Sequence, residues 1–113
     1  MSSFDRELLH GNSATLVLAA LVKGERHAYL IRHELVEHSR GCLHLSLGNL
    51  YPLLALLERR GLVMSYIGKG RGSQERRLYQ LTAKGRKTLK ERVQRWSLFG
   101  AGVNRVLRRA GLV

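Results

Sequence analysis

The hydrophobic pattern is clearest between residues 45 and 61. Four leucines recur there at spacings of three, four and three residues: Leu47, Leu50, Leu54 and Leu57. This is the period of an amphipathic α-helix. Ser46 is placed to cap the start of the helix through its hydroxyl oxygen, and Gly61 to end it in the left-handed conformation. The pattern predicts a helix over residues 46–60, pinned to a core by its leucines and turning small and polar residues outward.

Two further helices are predicted before this one. Ser13 would cap the run 14–22, which is apolar on every side and therefore typical of a core helix. Residues 28–39 form the second helix, with Ala28, Ile31 and Leu35 facing inward. A short connection joins it to the leucine helix, as in a helix-turn-helix. Residues 1–12 are interpreted as an arm or a short helix.

The period changes from helical to alternating after Gly61. Residues 62–67 and 76–82 are predicted strands, joined by a basic, Gly-rich loop over 68–75. Thr82 then caps a last helix from Ala83 to about Arg109. Three helices followed by a basic hairpin predict a winged helix, so the fold class is mainly α with a small β-hairpin (α+β). Residues 1–82, with the wing at about 62–82, form the winged-helix domain, and 83–113 a C-terminal helix packed in the same unit.

The last helix carries a long apolar stripe at helical spacing, made of Leu89, Val93, Trp96, Phe99, Val103 and Val106. A helix of this length spans roughly 40 Å, more than a small domain covers. The stripe therefore predicts a dimer interface with the same helix of a second copy. Gly100 and Gly102 mark either a bend or a close approach of helices.

The charge of the chain points to a polyanionic partner. Its formal net charge is +12 and its pI about 11.1. Residues 1–60 hold seven basic against six acidic residues, and residues 61–113 thirteen against two. Nucleic acid is the first candidate and an acidic membrane surface the second. The longest apolar run is too short to span a bilayer, which excludes a transmembrane helix. With nucleic acid as the first candidate, no membrane partner is predicted.

Cysteine usage and the first residues favour a cytoplasmic protein. Cys42 is the only cysteine, which excludes an internal disulfide and fits a reducing compartment. Cys42 is expected to be buried as a small hydrophobic residue. The first residues lack the layout of a signal peptide.

The start of the leucine helix is the first candidate site for DNA contacts, through Ser46, Gly48, Asn49 and Tyr51. Free N–H groups and the positive dipole end of a helix suit a phosphate. Asn49 can bond an adenine edge or a phosphate. Tyr51 is either a hydroxyl donor to DNA or a packing residue at the core edge. Pro52 either bends the first turns of the helix or shows that the helix starts later.

The wing is the second candidate site, with Lys69, Arg71, Arg76 and Arg77 placed to neutralise phosphates or enter the minor groove. The alternative is a solvated loop whose charges serve solubility. Lys84 and Arg86, next to the wing, are weaker candidates for phosphate contact.

Other chemistry is limited to one hypothesis. A pair of Trp96 rings across a two-fold axis, next to Phe99, would stack a flat aromatic effector. His33 and His38 do not share a helical face, so no metal site is predicted. No acidic pair, activated nucleophile or phosphate-binding Gly-Lys motif occurs. No catalytic residues, cofactors or enzyme activity are therefore expected.

Four blocks resemble the PadR-like family of winged-helix transcriptional regulators over residues 14 to about 96. They are residues 16–21, the His27-Ala28-Tyr29 segment, residues 45–62 with Leu50-Tyr51-Pro52-Leu53 and Leu57-Glu58-Arg59-Arg60-Gly61, and residues 76–86 with Leu81-Thr82-Ala83-Lys84-Gly85. The resemblance implies a cytoplasmic, homodimeric repressor that binds a near-palindromic operator.

The chain departs from the family pattern at several positions. Ala28 stands where the family prefers Gly, and Asn49 replaces Thr or Ser. Ala55 and Leu56 occupy positions that are commonly polar or basic, which predicts an exposed leucine on the outer face. That leucine supports an alternative function, a winged-helix protein-interaction module acting as an anti-repressor or adaptor. A general basic nucleic-acid-binding protein is the other alternative.

Overall fold

The computed structural model describes residues 11–69 and 75–113, which form four helices and a three-stranded sheet. In chain order the elements are α1 (Ser13–Ala20), β1 (Arg26–His27), α2 (Ala28–His38), α3 (Leu47–Arg59), β2 (Val63–Lys69), β3 (Glu75–Leu81) and α4 (Ala83–Arg109). This order confirms the α+β winged-helix fold. The predicted arm, up to residue 10, and the tip of the wing, residues 70–74, lie outside the described residues.

The predicted ends of α3 are confirmed by its hydrogen bonds. The Ser46 hydroxyl oxygen accepts from the backbone N–H of Asn49 at 3.2 Å. Gly61 takes φ +76°, which lets its N–H donate to the Glu58 carbonyl at 2.9 Å. A small polar cap and a glycine therefore set the length of this helix.

The boundaries of α1 differ from the prediction. The cap position is Asn12 and not Ser13, because the Asn12 carbonyl already accepts from the N–H of Leu16 at 3.1 Å. The helix ends at Ala20, and the following residues form turns in which Val22 bonds back to Ala19 at 3.2 Å. The apolar run is thus longer than the helix.

The sheet has the order β1-β3-β2, with both pairs antiparallel. The hairpin pairs Val63 with Leu81 at its base. The third strand, β1, was not predicted, because two residues are too few to show an alternating pattern. Its Arg26 forms an ion pair with Glu34 of α2 at 3.1 Å, which fixes β1 to that helix.

A single hydrophobic core lies between the helices and the sheet, and α3 supplies its centre. The fully buried side chains are Val17, Leu18, Leu21, Ile31, Leu50, Leu54, Leu57 and Val63. Burial of α1 on all sides was predicted wrongly: Ala19 is exposed, and so is Val22 in the turn that follows the helix. In a domain of this size, one layer of neighbours covers only one side of such a helix.

Cys42 is exposed, so the prediction that it is buried is wrong. The connection between α2 and α3 passes over the surface after Gly41, which takes φ +82°. Leu45 is the residue of this connection that enters the core. Connections lie at the surface because their backbone polar groups need water or local partners.

The last helix runs from Ala83 to Arg109 as predicted, without interruption at Gly100 or Gly102. The Thr82 hydroxyl accepts from the N–H of Gly85 at 2.9 Å and donates to the Gly61 carbonyl at 2.6 Å. The start of α4 is therefore bonded to the end of α3. Leu89 is the last α4 residue in the core, and the helix beyond it is largely exposed.

Candidate DNA interface

The outer face of α3 is accessible while its leucines are buried. Gly48, Asn49, Tyr51 and Pro52 are exposed, whereas Leu50 between them is fully buried. Tyr51 is 52% exposed, so its hydroxyl is not enclosed at the core edge. The start of the helix therefore presents small and polar groups to solvent over a rigid apolar base.

Pro52 lies inside α3, five residues after its first residue Leu47. Of the two alternatives for this proline, a later start of the helix is thus excluded. Because proline has no N–H, the carbonyl of Gly48 loses its usual helical partner. Gly48 itself has open surroundings, since an added Cβ would meet only the Ser46 hydroxyl at 3.9 Å.

Leu56 is half-buried, which corrects the prediction of an exposed leucine on the outer face. Helix α3 packs against β2 as well as against α2, so the sides of the helix are partly covered. An exposed Leu56 was the feature that favoured a protein-interaction module, and the structure does not have it.

A chain of hydrogen bonds connects α3 to the wing. The Arg77 guanidinium (Nη1) donates to the Ser65 hydroxyl at 3.0 Å, and that hydroxyl donates to the Glu58 carboxylate at 2.6 Å. Neither Ser65 nor Glu58 was singled out from the sequence. Glu58 follows Tyr51 by seven residues and therefore shares its side of the helix. Its connection to Arg77 through Ser65 depends on the register of the β2–β3 hairpin, which could not be predicted from the length of the loop.

Buried Tyr79 is paired with Ser65 across the hairpin. Burial raises the pKa of its hydroxyl, and the positive charge of Arg77 partly opposes that rise. Glu58 and Tyr51 both raise the pKa of Tyr79 further. Tyr51 and Glu58 of α3 and Arg77 of β3 therefore all act electrostatically on the Tyr79 hydroxyl.

Arg76 takes a different direction from Arg77. Its Nη1 lies 3.0 Å from Nε2 of His27, at the edge of the sheet formed by β1. The other ring nitrogen of His27, Nδ1, accepts from the N–H of Leu30 at 3.1 Å and caps α2. Burial, and then the charge of Arg76, lower the pKa of His27. This cap could not be predicted from the sequence, because histidine is not among the usual capping residues.

The remaining basic candidates near the wing divide into two groups. Lys84 donates to the Arg60 carbonyl at 2.8 Å, and Arg86 to the Val22 carbonyl at 3.3 Å, so both contact their own chain while staying exposed. Lys69 ends β2, but its side chain and the whole of Arg71 lie outside the described residues.

The apolar stripe of α4 is divided between the core and the surface. Leu89 is only 8% exposed and belongs to the core of its own chain, so it is not available to a partner. The rest of the stripe is exposed: Val93, Trp96, Phe99, Val103 and Val106. The rings of Trp96 and Phe99 are tilted by 43° with their centres 6.2 Å apart.

A shallow cavity of about 240 Å³ lies between the start of α1 and the middle of α4. Trp96 and Phe99 form its apolar part, with Arg92, Arg95 and Thr15 beside them. Within residues 11–69 and 75–113, no group of three or more histidine, cysteine or acidic residues is arranged to hold a metal ion. None of the helices in the same ranges could cross a membrane.

Comparison with known proteins identifies relatives of this fold. The model of the family described as "Transcriptional regulator PadR-like family" matches residues 17–91. A PadR-family transcriptional regulator from Eggerthella lenta is 31% identical, with a TM-score of 0.80 over 93% of this chain and 89% of that one. No curated protein sequence matches significantly.

Two further solved structures show the same likeness. A transcriptional regulator from Clostridium thermocellum is 25% identical, with a TM-score of 0.80 over 88% of this chain and 96% of that one. A PadR-like regulator from Bacillus cereus is 26% identical, with a TM-score of 0.79 over 89% and 96%. The family resemblance drawn from the four sequence blocks is confirmed.

Proposed function

Because this chain belongs to the PadR-like family of transcriptional regulators, we propose that it is a homodimeric repressor that binds a near-palindromic operator. The supporting observation is the outer face of α3, where Gly48, Asn49 and Tyr51 are exposed above buried leucines. A helix with this combination fits the major groove, which admits one helix and displays a distinct pattern of donors and acceptors for each base pair.

The start of α3 supplies the proposed contacts to DNA. The Ser46 hydroxyl oxygen is occupied by the cap, but its proton remains for a phosphate. Tyr51 offers a second hydroxyl, and the amide of Asn49 matches the edge of adenine. Gly48 lets the groove approach the backbone closely. In the wing, Lys69, Arg71, Arg76 and Arg77 would neutralise flanking phosphates.

The second half of α4 supplies the proposed dimer interface, through Val93, Trp96, Phe99, Val103 and Val106. This exposed apolar face continues from the core side of the helix, where Leu89 is buried. Pairing two such helices would hide it from water and set two α3 helices in successive major grooves, about 34 Å apart. Residues 1–82 would then act as the DNA-binding domain and 83–113 as the dimerisation helix of one unit.

The cavity beside Trp96 and Phe99 supports the hypothesis of a small aromatic effector. Its apolar part would stack a flat ring, and it lies on the proposed dimer interface, where a ligand can change the spacing of two DNA-binding domains. The protein would act in the cytoplasm on double-stranded DNA, without a cofactor or enzyme activity.

A general basic nucleic-acid-binding protein remains the second candidate, favoured by the net charge of +12. Selection of bound sites from a pool of random duplexes separates the two functions. The repressor is expected to enrich a two-fold symmetric sequence and to bind it as two chains per duplex, measured by sedimentation of the complex. Equal recovery of all sequences would reject the operator-binding function in favour of the general one.

A further inference from the structure

The wing and α3, the proposed recognition helix, are connected through one serine. Ser65 lies on β2, and its hydroxyl contacts both Arg77 of β3 and Glu58 in the last turn of α3. In the hairpin register Ser65 faces Tyr79 and Arg77 faces Ile67, so Arg77 must reach back two positions along the sheet to contact Ser65. That reach brings its guanidinium to the side chain that also contacts α3.

The direction of these hydrogen bonds is determined by chemistry. An arginine can only donate and a carboxylate can only accept, whereas a serine hydroxyl carries one proton and can do both. Ser65 therefore gives its proton to Glu58 and offers its oxygen to Arg77. With the hydroxyl oriented in this way, the contact holds Arg77 through Nη1 only. The guanidinium has four further N–H donors.

The position of Glu58 relative to Arg77 also matters for the charge of this site. Its carboxylate is separated from Arg77 by the serine and forms no direct ion pair with it among the described residues. Arg77 is exposed, and its one side-chain hydrogen bond within the described residues is to a neutral hydroxyl. An exposed arginine with no such contact would lose the freedom of several rotatable bonds on meeting a phosphate.

We infer that Ser65 and Glu58 are positioning residues, which hold Arg77 beside the recognition helix as a fixed contact to a DNA phosphate. The inference rests on the proposed function and adds to it a specific role for each member of the chain. It assigns Arg77 to the phosphate next to the groove that α3 occupies. Ordering Arg77 before binding lowers the entropic cost of the contact.

The inference is tested by a double-mutant cycle on dimeric protein with a mixed-sequence duplex of about 30 base pairs, or three helical turns. Ser65→Ala is expected to weaken binding by about threefold to tenfold, the range for ordering one long side chain. Because all cations remain, the salt dependence of binding should keep its slope. Arg77→Ala is expected to weaken binding and to reduce that slope by about 0.9 for each protomer.

The cycle distinguishes positioning from a merely structural role. In the Arg77→Ala background, Ser65→Ala should weaken DNA binding almost no further. Ser65→Thr keeps a hydroxyl, so in a protein with Arg77 it should retain most of the affinity that Ser65→Ala loses. Arg109→Ala is a control that removes one charge at the far end of α4, about 39 Å from its start.

Several results would overturn the inference. They are an equal effect of Ser65→Ala in both backgrounds, a gain in affinity on Ser65→Ala, or no effect of Arg77→Ala. If the unchanged protein fails to bind duplex DNA at low salt, the proposed function fails and the inference with it. If the protein binds DNA but Ser65→Ala has the same effect with and without Arg77, the inference is rejected and the proposed function stands.

Discussion

Gly85 of α4 packs directly against the carbonyl oxygen of Leu62, the residue just before β2. A Cβ built on Gly85 would lie well inside van der Waals contact with that oxygen and at 2.8 Å from a methyl carbon of Leu81. The first turn of α4 can approach the hairpin this closely only because Gly85 has no side chain. Gly85 therefore brings the start of the proposed dimerisation helix against the base of the hairpin.

Gly85→Ala is expected to lower the free energy of unfolding by about 3 kcal/mol, because the backbone of Leu62 must move to admit the methyl group. Alanine's helix propensity offsets only about 1 kcal/mol of this. Urea denaturation measures the change. Gly102→Ala is the matched control in the same helix, where the added Cβ would meet only Arg105 at 3.7 Å. The control should be stabilised by about 1 kcal/mol; similar effects at both positions would reject the packing argument.

Substitutions of Ser46 separate the cap from the proposed DNA contact. Ser46→Ala should lower the free energy of unfolding by about 1 kcal/mol, since the N–H of Asn49 loses its side-chain acceptor. Ser46→Asp keeps an acceptor and suits the positive end of the helix, so its stability should match that of the unchanged protein. Its carboxylate would repel a phosphate, however, and anisotropy titrations should show weaker DNA binding. Undiminished binding by Ser46→Asp would show that no phosphate lies at this helix start.

Acid pH should destabilise the fold through His27. The folded chain lowers the pKa of His27 below the 6.5 of a free imidazole, first by burial and then through Arg76. The unfolded state therefore binds the proton more readily, and the stability contributed by neutral His27 is present above pH 6.5 and lost as the pH falls through the lowered pKa. The same protonation removes the acceptor that caps α2.

Urea midpoints between pH 8 and pH 5 measure this effect. His27→Asn keeps a capping side chain that does not titrate, so it should show a smaller loss of stability in acid than the unchanged protein. His33→Asn, an exposed position on the same helix, should behave as the unchanged protein does. If His27→Asn loses as much stability in acid, the dependence arises elsewhere.

Phe99→Asp should dissociate the proposed dimer. Phe99 is 65% exposed in the single chain, and neighbouring Leu98 is 74% exposed but points to another side of α4. Burying a carboxylate at the centre of the interface should raise the dimer dissociation constant by about thirtyfold or more. Sedimentation equilibrium measures this constant, and Leu98→Asp, with the same change of charge, should leave it unchanged. Equal effects of the two substitutions would place the interface elsewhere.

The sequence allowed the helices and the hairpin to be predicted because their signals are local. The spacing of Leu47 to Leu57, the Ser46 cap and Gly61 depend on residues only a few positions apart. The errors concern features that depend on distant contacts. The burial of Leu56 and Leu89 and the exposure of Cys42 depend on which element packs above them, and β1 exists only because β3 lies beside it.

The candidate site could be predicted in outline for the same reason. The exposed start of α3 follows from its amphipathic pattern, so the outward positions of Gly48 and Asn49 could be predicted, whereas that of Tyr51 was left open. The link from Arg77 through Ser65 to Glu58 requires the strand register and the packing of α3 on β2. Neither is encoded in a short stretch of sequence, because the hairpin loop and the tertiary contacts determine both.

The proposed function requires that the outer face of α3 reads the bases of duplex DNA. Comparing the sites selected by the unchanged protein with those selected by Asn49→Ala tests this requirement. We expect the unchanged protein to select a palindrome, and the variant to lose its preference at one base pair in each half-site while keeping the rest. The same selected sequence for both proteins would contradict base reading by Asn49. If the unchanged protein enriches no sequence from the pool, the outer face of α3 does not read a specific DNA site.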